Sequence, residues 1–194
     1  MTSFTSFSRR AHLSFQGACV AEQLFASGCA LLVSITSAGQ IVAQGPTPYF
    51  VLIDRALRDE GTSHHYLPVS AFACAPDPVL LDAVAAALLA WPNHPAVHRG
   101  ATWTTDAPYR ETEFAIAKAH DLGILAVEME AAALYAFATA RSRDIVCFAH
   151  VTNAMAQSEG DFEKGEAGGA TASLHVLAAT AKAWRETRGG FSAP

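Results

Sequence analysis

Charged side chains are scarce in this 194-residue sequence, at 16%, against about 25% in an average soluble domain. The charge that exists leans negative, with 18 acids against 13 bases and a formal net charge of −5. No basic run occurs, which argues against a nucleic-acid polymer as partner, since such binding rests on Lys and Arg neutralising phosphates. Cysteine is also rare. Cys19, Cys29, Cys74 and Cys147 are scattered without a C-x-x-C pair, the pattern of reduced thiols in a cytoplasmic protein. Long apolar runs are missing too. No stretch of 18 residues escapes polar interruption, so no transmembrane helix and no membrane partner is expected. The opening MTSFTSFSRRAHLSF lacks the apolar centre of a secretory signal.

The remainder is apolar: 51% hydrophobic residues and a mean hydropathy of +0.20. A chain of this length buries about 70% of its unfolded surface, so one domain over residues 1–194 is expected. A thinly charged surface fits contacts between subunits.

Periodicity and punctuation give the elements. Ala18 to Ala26 reads as a helix closed by Gly28. CALLVSI, Cys29 to Ile35, is a buried strand, followed by TSAGQ as a small-residue turn. A second strand runs from Pro48 to Leu57, and RDEGTSHHYLP is a loop. Asp77 to Trp91 is a helix with Asp77 as N-cap and Pro78 in the first turn. AVHRGATWTT is a strand, DAPYRET a loop, Thr112 to Asp121 a helix, ILAVEM a short strand and EAAALYAFATARS a helix. DIVCFAHVTNA is a strand with a polar end, GDFEKGEAGG a flexible linker, and Ala170 to Arg188 the last helix. Strands alternating with helices imply an α/β fold: a central mixed or mostly parallel sheet flanked by helices.

In open α/β sheets ligands bind beyond the carboxyl ends of strands. That rule selects SITSAGQ, RDEGTSHHY, TTDAPYRE, VEME and VTNAMA, where polar residues also concentrate. Glu128 and Glu130 both project near one strand end, with Met129 pointing the other way. A carboxylate accepts two hydroxyls at once, as a ribose diol offers; alternatively Glu130 caps the next helix. Thr36 and Ser37 lie in a turn whose N–H groups and hydroxyls suit an anion, or serve only the turn. Trp103 and Tyr109 have rings for stacking on a planar base and Arg110 can donate to its carbonyl; otherwise Trp103 is core. Asn153 bonds a ligand or satisfies backbone. His64 and His65 alternate faces with no suitably spaced thiol or carboxylate, so no metal site is expected.

At VEMEAAALYAFA the chain resembles the nucleoside phosphorylase superfamily, which holds purine nucleoside phosphorylases, uridine phosphorylases and related nucleosidases. RDEGTSHHYLP is similar to a loop typical of uridine phosphorylases, and RGATWTTDAPYRET looks like the base-proximal segment. The match runs from about Gly17 to Trp184. The resemblance implies phosphorolysis of a uridine or purine nucleoside to free base and ribose 1-phosphate, with inorganic phosphate as co-substrate and no cofactor. Glu130 would bind the ribose hydroxyls, Met129 line the sugar and Glu128 support them. Ser37 and Thr36 would meet phosphate, and Tyr109 and Arg110 the base. Asn153 replaces the catalytic aspartate of purine-specific relatives. The resemblance implies a homo-oligomer, a dimer or hexamer, with sites completed by a neighbour. Two departures stand out. The family's N-terminal strand and loop, with a phosphate arginine, are missing, and Ser34 stands where a second arginine is usual. Arg9 and Arg10 are possible substitutes. A phosphate-independent nucleosidase and a non-catalytic nucleoside-binding or assembly protein therefore stay open beside the phosphorylase.

Overall fold

A computed structural model describes residues 14–154 and 165–189. Arg9, Arg10 and residues 160–164, the first half of the GDFEKGEAGG segment, lie outside them. In chain order the elements are α1 (Ser14–Ala26), β1 (Leu31–Gln40), β2 (Tyr49–Asp59), β3 (Phe72–Cys74), α2 (Pro78–Leu89), β4 (Val97–Thr105), α3 (Glu113–Asp121), β5 (Ile124–Glu128), α4 (Ala131–Arg141), β6 (Asp144–Ala154) and α5 (Ala170–Thr187). Short 3-10 turns cover Thr62–His65, Pro108–Arg110 and Glu166–Gly169.

The sheet is mixed, with order β3-β2-β4-β5-β1-β6, and β6 pairs again with β2. It therefore closes on itself, a closure that apolar runs read singly cannot reveal. β2, β4 and β5 run parallel to one another, and β1 runs parallel to β6. The two sets meet in antiparallel seams, β1 against β5 and β2 against β6. Parallel neighbours need crossover connections, which α2 supplies between β2 and β4 and α3 between β4 and β5. Asp77 caps α2 by accepting from Leu80 N at 3.0 Å, with Pro78 in the first turn.

β1 is where the expectation fails. TSAGQ is not a turn: β1 runs on to Gln40, paired with β6 from Leu31 to its end. A bulge between Ala38 and Gly39 bends it, and Gly39 and Gln40 then join β5. Small residues suit a turn, but here they suit a strand crossing between two neighbours. Another close approach lies at Gly100, where an added Cβ would stand 2.6 Å from Leu125 Cδ1.

Three apolar clusters fill the layers. α1 and α4 pack on one face of β2 and β6, α2 and α5 on the other, and α3 against β4 and β5. α4 is buried from Ala131 to Ala138, its alanines letting the helix come close to the strands. Its Tyr135 is fully buried; its hydroxyl donates to Ile53 O at 2.6 Å and accepts from Cys147 N at 3.1 Å. Burial pushes the Tyr135 hydroxyl well above its ordinary pKa, so it remains a donor. Tyr135→Phe leaves two buried backbone groups without this partner, and a loss of about 1–3 kcal/mol is expected in urea unfolding.

Candidate functional site

The β5–α4 junction decides what the two acids do. Glu128 ends β5 and is 3% exposed. Its Oε2 accepts from Glu130 N at 2.7 Å and Ala131 N at 2.8 Å. Its Oε1 accepts from Thr104 Oγ1 at 2.5 Å and Thr102 Oγ1 at 3.2 Å. Thr104 Oγ1 in turn accepts from Ala132 N at 3.0 Å. The first N–H groups of a helix need acceptors from outside it, and Glu128 with Thr104 supplies three. Glu128 was expected to support the substrate; instead two of its four acceptor bonds take N–H groups at the start of α4 and the other two take threonine hydroxyls of β4, which ties it into the fold. Burial pushes the Glu128 carboxyl up, and the hydrogen bonds from Thr104, Glu130, Ala131 and Thr102 oppose that.

Glu130 is the acid left over. It occupies the cap position of α4 but makes no side-chain cap bond. Oε2 accepts from Met129 N at a long 3.3 Å. The residue is half-buried. Its pKa is pushed up to about 8, first by burial, then by the negative charges of Glu128 and Asp106, against the Met129 N–H. Asp106, at the end of β4, is exposed and accepts from Gly61 N at 3.2 Å, which ties the loop after β2 to this corner. That loop is built around Arg58, whose guanidinium donates to Ser63 Oγ, Ser70 Oγ and the carbonyls of Leu67 and Pro68, and lies 3.2 Å from His64 Nδ1.

The remaining expected residues divide. Met129 is half-buried beside Glu130. Trp103 is 4% exposed, packs with Ile124 and Val127, and donates from Nε1 to Asp59 Oδ2 at 2.9 Å. Its ring belongs to the core and not to a stacking platform. Tyr109 and Arg110 sit on the exposed 3-10 turn just past Asp106, with Tyr109 99% exposed.

Thr36 and Ser37 lie on β1 opposite Ala149 and His150. Successive strand residues face opposite sides, so the pair does not gather its groups as an anion-binding turn does. Ser37 is exposed and Thr36 half-buried. Asn153 is half-buried on β6 and pairs with Gly39, which also pairs with Val127. The sheet thus carries Asn153 two strands from the base of the VEME junction.

Thr102, Thr104, Ser14 and Gly17 were missed. For the threonines a signal existed: T-x-T at the end of a strand puts two hydroxyls on one face. Ser14 donates to Met129 O across 115 positions, and nothing local announces that.

The closed mixed sheet flanked by helices defines an α/β fold. The phosphorylase superfamily model matches residues 15–182, and the chain belongs to that family. Among solved structures it is similar to AMP nucleosidase from Bacteroides thetaiotaomicron VPI-5482, with a TM-score of 0.70 and 20% identity over 91% of this chain and 71% of that one. No curated protein matches the sequence. Among the described residues no helix is long and apolar enough to cross a membrane.

Proposed function

We propose that this chain cleaves the N-glycosidic bond of a nucleoside, with Glu130 holding the ribose diol. The carrying observation is the division of labour at the junction: Glu128 is consumed by α4, while Glu130 keeps its acceptor positions almost free. An ionised carboxylate takes two adjacent hydroxyls. Departure of the base leaves an oxocarbenium-like sugar, and a corner with Glu128, Glu130 and Asp106 favours that positive charge. Tyr109 and Arg110, exposed just past Asp106, would meet the base and its departing negative charge.

For the acceptor, water is the reading favoured here. The residues matched to phosphate, Thr36 and Ser37, offer hydroxyls on a strand, and Ser34 stands where the family resemblance calls for arginine. A dianion binds best to a guanidinium. The second reading, phosphorolysis to ribose 1-phosphate, keeps the support of the Thr36 and Ser37 hydroxyls and of the family itself.

A panel of purine and pyrimidine nucleosides, run with and without inorganic phosphate, separates these. Free ribose at a rate unaffected by phosphate is expected. Strict phosphate dependence with ribose 1-phosphate as product would establish the second reading. Nucleoside binding without turnover would leave a binding protein.

A further inference from the structure

Glu130 is placed by more than its own strand. Glu128 and Thr104 occupy the N–H groups of Glu130, Ala131 and Ala132. The carbonyl of Met129, just before Glu130, is taken by another element: Ser14 Oγ donates to it at 2.5 Å. Ser14 is fully buried at the start of α1. Three residues on, Gly17 shares the same helix face. A Cβ added at Gly17 would lie 3.5 Å from Glu130 Cγ and 3.8 Å from Glu130 Cβ. The stem of Glu130 therefore lies along the first turn of α1, and the contact stops short of the carboxylate.

We infer that the first turn of α1 is the positioning device for Glu130, with Ser14 fixing the backbone before it and Gly17 leaving the channel for its stem. The functional half of this inference rests on the reading of Glu130 as the ribose ligand. Contacts at Cβ and Cγ restrict the first two side-chain torsions, which set where the carboxylate points. A binding constellation loses much of its effect when a group moves by about 1 Å. An alanine Cβ at 3.5 Å would make ordinary contact with the Glu130 stem, so the test needs the bulkier valine, whose two methyls extend past that Cβ.

Ser14→Ala and Gly17→Val, made in the full chain, test this, with Phe15→Ala as control because Phe15 is 63% exposed on the same helix. Two readouts are needed. Carbon-13 NMR of the side-chain carboxyls, assigned with Glu130→Gln, follows the titration of Glu130 without any ligand. Its midpoint near 8 should fall in both variants as the carboxylate swings toward solvent, and stay in place in the control. Nucleoside KM should rise roughly tenfold in Gly17→Val and about threefold in Ser14→Ala, the scale of one lost hydrogen bond, and Ser14→Thr should restore part of it. If Gly17→Val does not fold, Ser14→Ala and its threonine rescue decide.

An unmoved midpoint in the folded variants overturns the inference. So does a moved midpoint with unchanged KM where Glu130→Gln still abolishes turnover. A wild-type chain that binds no nucleoside would remove the ribose reading, and the midpoints alone would then decide the positioning.

Discussion

Glu130→Gln is expected to abolish nucleoside binding and, above pH 8, to raise the melting temperature. The two effects share one cause. In the folded chain the Glu130 carboxyl holds its proton up to about pH 8, whereas an exposed glutamate releases it near 4.3. The folded state therefore binds the proton more tightly than the unfolded one. The contribution to stability is fully present at low pH, declines as pH rises from the unfolded pKa, and is lost once pH passes about 8. Above that the wild-type chain holds a charge beside Glu128 and Asp106, while glutamine holds none. Thermal melts of the two chains should converge near pH 4 and separate by pH 9, with the variant higher. Binding runs the opposite way. A diol donates to a carboxylate, so wild-type affinity should fall about tenfold for each pH unit below the midpoint. Calorimetry between pH 6 and 9 checks this, and wild-type affinity in Glu130→Gln would sink the assignment. A variant that is more stable but inactive is the usual mark of a residue kept for function against stability.

Glu128→Ala is expected to be the most damaging single substitution at the junction. It strands the N–H groups of Glu130 and Ala131 and the hydroxyl hydrogens of Thr102 and Thr104 around an empty site. Each unsatisfied buried group costs about 1–3 kcal/mol. Partial relaxation leaves a loss on the order of 3–5 kcal/mol, or about 10 °C in melting temperature for a chain of this size. Glu128→Gln should lose much less. Its amide oxygen can still take the two N–H groups, while its NH2 turns to the threonine hydroxyls, which also accept. A Glu128→Ala chain with wild-type stability and wild-type nucleoside affinity would mean that the acid clamps nothing. Lost affinity without lost stability would return Glu128 to the substrate.

These predictions depend on distinctions that sequence alone did not resolve. Apolar runs and caps were enough for α2, with Asp77 and Pro78, for the start of α5 at Ala170, and for β6 over Asp144–Ala154. VEME was enough to locate the junction. Which acid the helix would consume was not readable, because spacing puts both on one side of an extended chain. The backbone leaves the strand at Met129, so Glu128 turns back onto the helix start and Glu130 is released. Trp103 was ambiguous for a similar reason: its ring suits a base or a core, and only the position of Asp59 on the adjacent strand settles where its N–H goes. Thr36 and Ser37 carry turn chemistry, but pairing with β6 overrides local preference. Loss of the turn removes the strongest local argument for phosphate, while leaving the argument for ribose untouched.

The second seam has a consequence for how the chain is made. β6 lies between β1 and β2, so among the described residues the last strand in sequence is flanked by the first two. Until residue 154 leaves the ribosome, β1 and β2 share no completed neighbour, and the apolar faces meant for β6 stay uncovered. Pairings that span more than a hundred residues carry the largest loop-closure cost and form late. Before β6 is made, the nascent protein therefore exists as an open sheet fragment with unpaired edges, the stage at which aggregation competes with folding.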